Sequence, residues 1–333
     1  MLIAGDIGGT KTALAIISPE AGPLAPVAQT KVPSRDYPSL QAIVKEFLAK
    51  EGKPVDRACF AVAGPVLGGR VKATNLPWLV EEAALAEELN INRQSVHLMN
   101  DLEAIAHAVP ILRPRDVVTI NHGEAVPRGA IAVIAPGTGL GESFLTWDGF
   151  RYLPHSSEGG HADFAPADER QTRLLEYVRA KFGHVSFERV CSGSGIPNIY
   201  DFLRDVERIP QDAATTALIE AAPDRTAVIT EHALGAGPRS ELCVATIDTF
   251  ISILAGEAGN LALKLLSTGG VYVAGGVAVH TLEALKGPAF MESFKRKGRF
   301  AEMLSGMPVH VIVSPAGLAG AAAFGLHNGL KAA

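Results

Sequence analysis

The chain has little with which to cross-link itself. Three cysteines, Cys59, Cys191 and Cys243, stand far apart among 333 residues, with no CxxC spacing. An odd count in apolar surroundings argues against a disulfide framework and suits reduced, buried thiols. Lys and Arg form no block or stripe, and net charge is −5, so nucleic acid is a poor partner. The longest uncharged run, near Pro308 to Leu326, is broken by Pro, Gly, Ser and His. It is too short and too punctuated to span a bilayer, so no membrane association is expected. A chain that opens directly on a strand-like run is expected to carry no signal peptide, which places the protein in the cytoplasm. No low-complexity segment or long linker appears. What is present is a 47% hydrophobic content, ample for a core, and a length suited to about two domains.

The stretch that organises the rest is Gly5-Asp6-Ile7-Gly8-Gly9-Thr10-Lys11-Thr12, between apolar runs at Leu2 to Ala4 and Ala13 to Ile17. Both runs read as strands, with the glycine pair as a hairpin turn. Glycines admit a bulky anion to backbone N–H groups, and hydroxyls and a lysine can bind phosphate oxygens. A carboxylate beside a polyphosphate is repulsive unless a cation lies between them, so Asp6 points to Mg²⁺. A plain hairpin turn accounts for the same eight residues.

The chain then alternates strands and helices around a mixed sheet. Val27 to Val32 is predicted as a strand and Pro38 to Lys50 as a helix, from apolar Leu40, Ile43, Val44, Phe47 and Leu48. Ala58 to Ala63 is a strand, with Arg70 to Thr74 expected to pair back on it. Trp78 to Leu89 reads as a helix. Val96 to Met99 is a strand that gives way at Asn100-Asp101 to a helix over Leu102 to Val109. Pro110 to Pro114 is the expected domain boundary. The theme then restarts. Strands at Val117 to Ile120 and Ala130 to Ala135 lead into Pro136-Gly137-Thr138-Gly139-Leu140-Gly141 and a strand over Ser143 to Trp147. A strand, Gly-Thr loop and strand thus recur after about 130 residues, the pattern a two-lobed nucleotide clamp needs. Helices are expected over Asp168 to Phe182, Pro197 to Arg208, Asp212 to Ala221, Thr226 to Leu234 and Ser240 to Leu266. Val271 to Ala274 is a buried strand ending in Gly275-Gly276. Val309 to Val313 is the last strand and Ala316 to Leu330 the last helix.

These motifs, taken in order, resemble the bacterial glucokinase family within the actin-like, sugar-kinase and heat-shock ATPase superfamily. The matching stretches are Gly5 to Thr10, Thr74-Asn75-Leu76-Pro77-Trp78, Asn100-Asp101, Gly137 to Gly141 and Glu158-Gly159-Gly160-His161-Ala162-Asp163-Phe164-Ala165-Pro166. His184 to Val190, Gly193 to Tyr200 and Val273 to Gly276 complete the set, covering nearly the whole chain. The resemblance implies an α/β, two-lobed actin-like ATPase (ribonuclease H-like) fold with mixed sheets and the active cleft between lobes. The small domain would be residues 1–111, completed by 310–333, and the large domain 112–309. It also implies a homodimer.

The resemblance assigns roles residue by residue. Asp101 looks like the general base for the sugar 6-hydroxyl. Asn100, Asp101, Glu158, His161 and Glu188 look like the sugar-binding set. Asp6, Gly8, Gly9, Thr10, Lys11, Gly137, Thr138, Gly139, Gly275 and Gly276 look like the ATP contacts, with Asp6 facing Mg²⁺ through water. No structural zinc is expected, because Ala162 to Gln171 lacks the cysteines that a related zinc-binding family carries after this histidine. The chemistry fits these residue types. Phosphoryl transfer is catalysed mostly by positioning and charge neutralisation, with one base near the attacking hydroxyl. Glu, Asn and His can pair with hydroxyls that both donate and accept.

Structural readings stand beside these. Asp101 could cap the following helix, Glu158 and Glu188 could be surface carboxylates, and Lys11 could be an exposed hairpin lysine. His161 could be a structural histidine, with Asp163 as its ring partner. Lys11 stands where enteric members commonly have Asn, Glu142 where a small or apolar residue is usual, and Cys191 where an aliphatic residue is. The expected reaction is ATP-dependent phosphorylation of glucose at the 6-hydroxyl. The alternatives are a kinase of mannose, fructose or an amino sugar, a sugar sensor without turnover, and an ATPase of the chaperone or filament kind.

Overall fold

A computed structural model describes residues 1–327. The chain divides into two compact units, one beginning with Met1–Leu112 and resuming at Ser314, the other Arg113–Val313.

The first unit is built on strands β1 (Leu2–Ile7), β2 (Lys11–Ile17), β3 (Pro26–Pro33), β4 (Arg57–Val62) and β7 (Val96–Asn100), in the order β3-β2-β1-β4-β7. A separate ribbon joins β5 (Arg70–Lys72) and β6 (Leu79–Glu81). The first hairpin is antiparallel, whereas β1 with β4 and β4 with β7 are parallel. Side chains alternate across β1, as strand geometry requires. Ile3 and Ile7 join the core under helices α1 (Leu40–Glu51) and α2 (Glu82–Leu89), while Leu2 and Ala4 face the other way. That second face, with Cys59, Ala61 and Met99, packs with Ala104 of the helix after β7 on Ala321 and Ala322 of the last helix, α13 (Ala316–His327). Helix α1 starts where Ser39 accepts the Ala42 N–H and ends at Gly52 in the left-handed region. Helix α3 (Asp101–Ala108) also packs on α13.

The second unit repeats the plan. Its sheet runs β11 (Tyr152–Ser157), β10 (Leu140–Trp147), β9 (Ile131–Pro136), β12 (Gly270–Val273), β13 (Val309–Ile312) and β8 (Val117–Asn121). β9, β10 and β11 form an antiparallel meander, and β9, β12 and β13 are parallel. This is the order of the first sheet with β8 added. Helices α4 (Glu169–Phe182), α5 (Ile196–Asp205), α6 (Ala213–Ala221) and α7 (Arg225–Leu234) gather around α8 (Glu241–Leu265). Short helices α9 (Gly276–His280), α10 (Leu282–Leu285), α11 (Pro288–Phe294) and α12 (Ala301–Ser305) lie between β12 and β13. By length and composition α8 is apolar enough to cross a membrane, but 72% of that window is buried inside the protein. Phe250, Ile251, Leu254 and Ala258 place it in the core of its own unit.

Several expectations need correction. Arg70–Lys72 pairs with Leu79–Glu81 and not with β4. The helix expected from Trp78 begins at Glu82, because Val80 is buried between two less buried neighbours in strand alternation. β11 was not expected; its Pro and Ser residues hid it, and it exists through pairing with β10. Val309–Ile312 pairs with β12 and β8 within the second unit. The expected extension of the last helix to Leu330, and the segment 328–333, lie outside the described residues.

The α3–α13 seam depends on small residues, since a side chain at Gly320 would run into the Ala104 carbonyl. Gly320→Val should therefore lower the free energy of unfolding by roughly 1–3 kcal/mol, the usual cost of overpacking. Denaturant titration checks this; an unchanged midpoint would show that the seam yields freely.

Candidate active site

In the first unit, parallel register brings Ile7, Val62 and Asn100 into one row. The strands therefore deliver Asp6, Gly64 and Asp101 to the carboxyl end of the sheet, where open α/β sheets bind ligands. Asp6 shares the face of Leu2 and Ala4, towards α13, and Gly317 of that helix leaves it room; a Cβ there would sit 2.6 Å from Asp6 Oδ2. Burial of the carboxyl, with the Asp101 charge adding, pushes Asp6 up to about 6, against a smaller pull from Lys31. Among the described residues no group hydrogen-bonds the Asp6 carboxylate.

Asn100 and Asp101 stand at the junction of β7 and α3. Asn100 is the cap: its Oδ1 accepts the Leu102 N–H at 2.9 Å, and its Nδ2 donates to the Gly64 carbonyl at 3.0 Å. Asp101 Oδ1 also accepts from Leu102, at 3.0 Å. Burial raises the Asp101 carboxyl, partly offset by hydrogen bonds from Leu102, its own N–H and Asn100. Asn100 and Asp101 thus share the Leu102 N–H, so the cap does not depend on Asp101 alone.

The Gly8-Gly9 turn is closed by the Gly8 N–H donating to the Lys11 carbonyl at 3.0 Å. Among the described residues no partner takes the N–H groups of Gly9 and Thr10. Thr10 and Lys11 are exposed. Thr12 is buried, and its hydroxyl pairs with Ser34 at 3.0 Å, so it serves the fold and not a phosphate. The Ser34 hydroxyl donates in turn to the Gly8 carbonyl at 2.7 Å, and its N–H donates to the Thr10 carbonyl at 3.0 Å. Sequence reasoning missed Ser34; a lone serine after a proline gives no signal of a loop it reaches only in space. The Thr74-Asn75 segment touches the turn as well, since a Cβ at Gly9 would lie 3.0 Å from Asn75 Cβ.

In the second unit the Gly137–Gly139 turn is closed by the Gly137 N–H and the Gly139 carbonyl at 2.9 Å. The N–H groups of Thr138 and Gly139 likewise have no partner among the described residues. Gly193 and Ser194 donate to the carbonyls of Gly137 and Thr138 at 2.8 and 3.1 Å. Gly275, at φ 89°, lies against the Pro136 carbonyl, where a Cβ would approach to 2.5 Å. Only glycine fits that conformation and spacing. The turn, the 193–195 segment and Gly275-Gly276 therefore converge.

Glu158 and His161 are exposed and bracket a short 3-10 turn, Gly159–His161. Glu188 is half-buried, and its Oε2 accepts the Leu140 N–H at 3.0 Å, against Gly139. It is thus held by the Gly-Thr loop itself. The Glu158–His161 turn adjoins the Phe187–Arg189 turn, through a 3.0 Å bond from the Phe187 N–H to the Ala162 carbonyl. One expectation fails: Asp163 pairs with His184 Nε2 at 2.7 Å and not with the His161 ring. Glu142, which stands where a small or apolar residue is usual, is 2% exposed and packs its Oε2 against Gly159.

The glucokinase family profile matches residues 3–328. A glucokinase of Nostoc punctiforme is 39% identical over 335 residues, covering 97% of this chain and 98% of the relative. One from Salmonella typhi is 36% identical, covering 93% and 92%. The crystal structure of a glucokinase from an Antarctic psychrotroph superposes with a TM-score of 0.80 at 31% identity, covering 98% and 99%. That of a Balamuthia mandrillaris glucokinase in complex with glucose gives 0.79 at 21% identity, a likeness of fold.

The Asp6 carboxyl carries a stability signature. Its folded pKa lies above the ordinary 3.8, so folding favours the protonated form. That stabilisation is present below the unfolded value and is lost as pH rises through about 6. In chelator, Asp6→Asn should gain stability relative to the parent by on the order of 1–3 kcal/mol between about pH 5 and 7.5. Urea titrations at both pH values read it; a constant difference would refute the burial argument.

Proposed function

The chain belongs to the glucokinase family and is an enzyme, and from that premise we propose that it transfers the γ-phosphoryl group of ATP to the 6-hydroxyl of glucose. The observation that carries the mechanism is the pair of carboxylates at the carboxyl end of the first sheet, Asp6 and Asp101. Burial raises both, and the cap at Leu102 does not depend on Asp101 alone. Asp101 accepts the proton of the attacking hydroxyl. Its raised pKa supports that role, since a base works best when its affinity for the proton is not too low. The reaction needs little covalent help, because a loose transition state is served by positioning and charge neutralisation.

The chain's residues suit Mg²⁺ held jointly with phosphate. Asp6 is a half-buried carboxylate with no hydrogen-bond donor among the described residues, which also hold no cluster of three or more His, Cys, Asp or Glu that would cage a metal alone. That donor set fits an ion that keeps its waters and takes one or two carboxylates plus phosphate oxygens. Bound there, Mg²⁺ would neutralise charge on the transferring phosphate. Asp6 would face it through water. The paired free N–H groups of Gly9 with Thr10, and of Thr138 with Gly139, support phosphate binding. Gly8 shapes the first turn and Gly137 the second. Lys11, exposed beside Thr10, supplies positive charge, and Gly275 and Gly276 offer bare backbone to the nucleoside.

Glu158, His161 and Glu188, with Asn100, read the sugar hydroxyls. A site built on such groups rejects an isomer that leaves them unpaired. We place the enzyme in the cytoplasm, in keeping with three buried free cysteines, and as a homodimer in keeping with the family resemblance. The domains would be a small one from the amino terminus with the carboxyl-terminal return, and a large one between.

A coupled ADP-release assay over a panel of hexoses tests the reading. Turnover with glucose, ATP and Mg²⁺ is expected, and its absence would refute it. Asp101→Ala should lose about 10²- to 10⁴-fold in kcat while still binding glucose; full activity would remove Asp101 from the role of base. Glu158→Ala and His161→Ala should raise KM for glucose more than for ATP, and equal changes would mark them as structural. Chelation should abolish activity and Mg²⁺ alone restore it.

A further inference from the structure

Glu142 has no place in the reaction just described, yet it is nearly inaccessible to water at 2% exposure. It lies on β10, two residues beyond Leu140, paired with Ile134 on one side and Ser157 on the other. One carboxylate oxygen, Oε1, has no hydrogen-bond partner. The other, Oε2, lies so close to Gly159 that a Cβ there would collide with it. The Gly159 N–H is tied to Ser157 Oγ at 2.9 Å, the strand residue opposite Glu142. Gly160 is pressed on the Leu140 carbonyl in the same way. The 3-10 turn between Glu158 and His161 is therefore seated directly on the strand that leaves the Gly137–Gly141 loop. Its seat is a carboxyl group.

That carboxyl does not stand alone. Glu257 of α8 is fully buried, and its charge and that of Glu142 bear on one another. Glu257 Oε2 accepts from Asn260 at 2.7 Å, whereas its Oε1 has no hydrogen-bond partner and only Lys264 Nζ at 3.6 Å. Lys264, two turns along α8, is largely exposed and faces both acids. Lys297 donates to Asn260 at 2.6 Å and faces Glu257. The Cys191 thiol, buried beside the two acids, is pushed well up by burial and by both charges. Glu158 and His161 flank the contact at Gly159. Two carboxyls, two lysines and a thiol thus share a site where water is scarce. Two carboxylates that close disfavour simultaneous ionisation.

We propose that Glu142 is a positioning residue for phosphoryl transfer: in its neutral form it braces the Glu158–His161 turn against the Gly137–Gly141 loop, and it releases that brace when it ionises against Glu257. The proposal rests on the reading that Glu158 and His161 bind the sugar. Burial first, and the Glu257 charge second, raise the Glu142 carboxyl to about 7, against Lys264. The brace is accordingly present below that pH and fails above it. An ionised Glu142 needs solvent or a cation, yet its Oε1 has no hydrogen-bond partner and its Oε2 rests against Gly159, so ionisation works against that contact. The protein would then respond to pH through the sugar site, away from its base.

The test compares Glu142→Gln, the isostere of the neutral acid, with Glu142→Ala and the parent. In the parent, KM for glucose should climb relative to Glu142→Gln between about pH 6 and 8.5, with kcat changing less. Glu142→Ala should raise KM for glucose about 10-fold or more at every pH, as misplacement of binding groups does. Amide hydrogen exchange over 157–162 should be fast in Glu142→Ala and slow in Glu142→Gln, and in the parent should quicken above about pH 7 once the intrinsic pH dependence is removed. Identical pH profiles for parent and Glu142→Gln, or unchanged exchange in Glu142→Ala, would overturn the proposal. The exchange arm needs no turnover, so it decides on the brace even if glucose proves not to be phosphorylated. Glu142→Gln keeps the test open if the alanine variant unfolds.

Discussion

The parallel pairing of β1, β4 and β7 is the constraint from which the carboxylate-bearing edge of the first sheet hangs. It fixes Ile7, Val62 and Asn100 in one row, and the residues beyond that row have no choice but to meet. A slip of one residue in β1 would turn Asp6 towards α1 and α2 and send Ile3 and Ile7 to the wrong face. Register therefore decides two things together: which side chains are core, and that a carboxylate stands near Asp101. The apolar residues hold the register, and the acids inherit their burial from it. Their raised proton affinities are a consequence of that inheritance.

The second unit uses the same strand order with different residues at the edge. Where the first sheet offers carboxylates, the second offers backbone, in the Gly137–Gly139 turn and at Gly275. The shared plan explains why each unit closes a hairpin that leaves two successive N–H groups without a partner among the described residues. The difference assigns labour: acids on one copy, bare amides on the other. Glu188 joins the two kinds of group in the second unit, because its carboxylate is held by the Leu140 N–H of the loop.

Much of this was legible in the sequence because it was carried by periodicity and by glycine. The hairpin at Gly8-Gly9, the helices α1, α4 and α8, and the strand before Gly275 all follow from local pattern. What was not legible depended on partners distant in sequence. β11 exists because β10 pairs with it, and its Pro154 and Ser157 gave no strand signal. Trp78 to Leu89 looked helical because Ala and Glu dominate it, yet Leu79–Glu81 is claimed by Arg70–Lys72. Ser34 and the Asp163–His184 pair are contacts that no spacing predicts. Glu142 stood out as a departure from the family's pattern, but its direction came only from the packing of Gly159.

The last helix has a consequence for how the protein is made. One face of the first sheet, with Leu2, Ala4, Cys59, Ala61 and Met99, is covered by residues that follow Ser314 together with Ala104 of α3. The second unit is continuous in sequence, whereas the first waits for a segment that leaves the ribosome after about two hundred further residues. During that interval an apolar sheet face is bare, and Asp6 has no helix behind it. The nascent chain can complete its larger unit while the smaller remains half-assembled. Asp6 acquires its full setting against α13 only at the end of synthesis, so a truncated chain would expose an apolar sheet face.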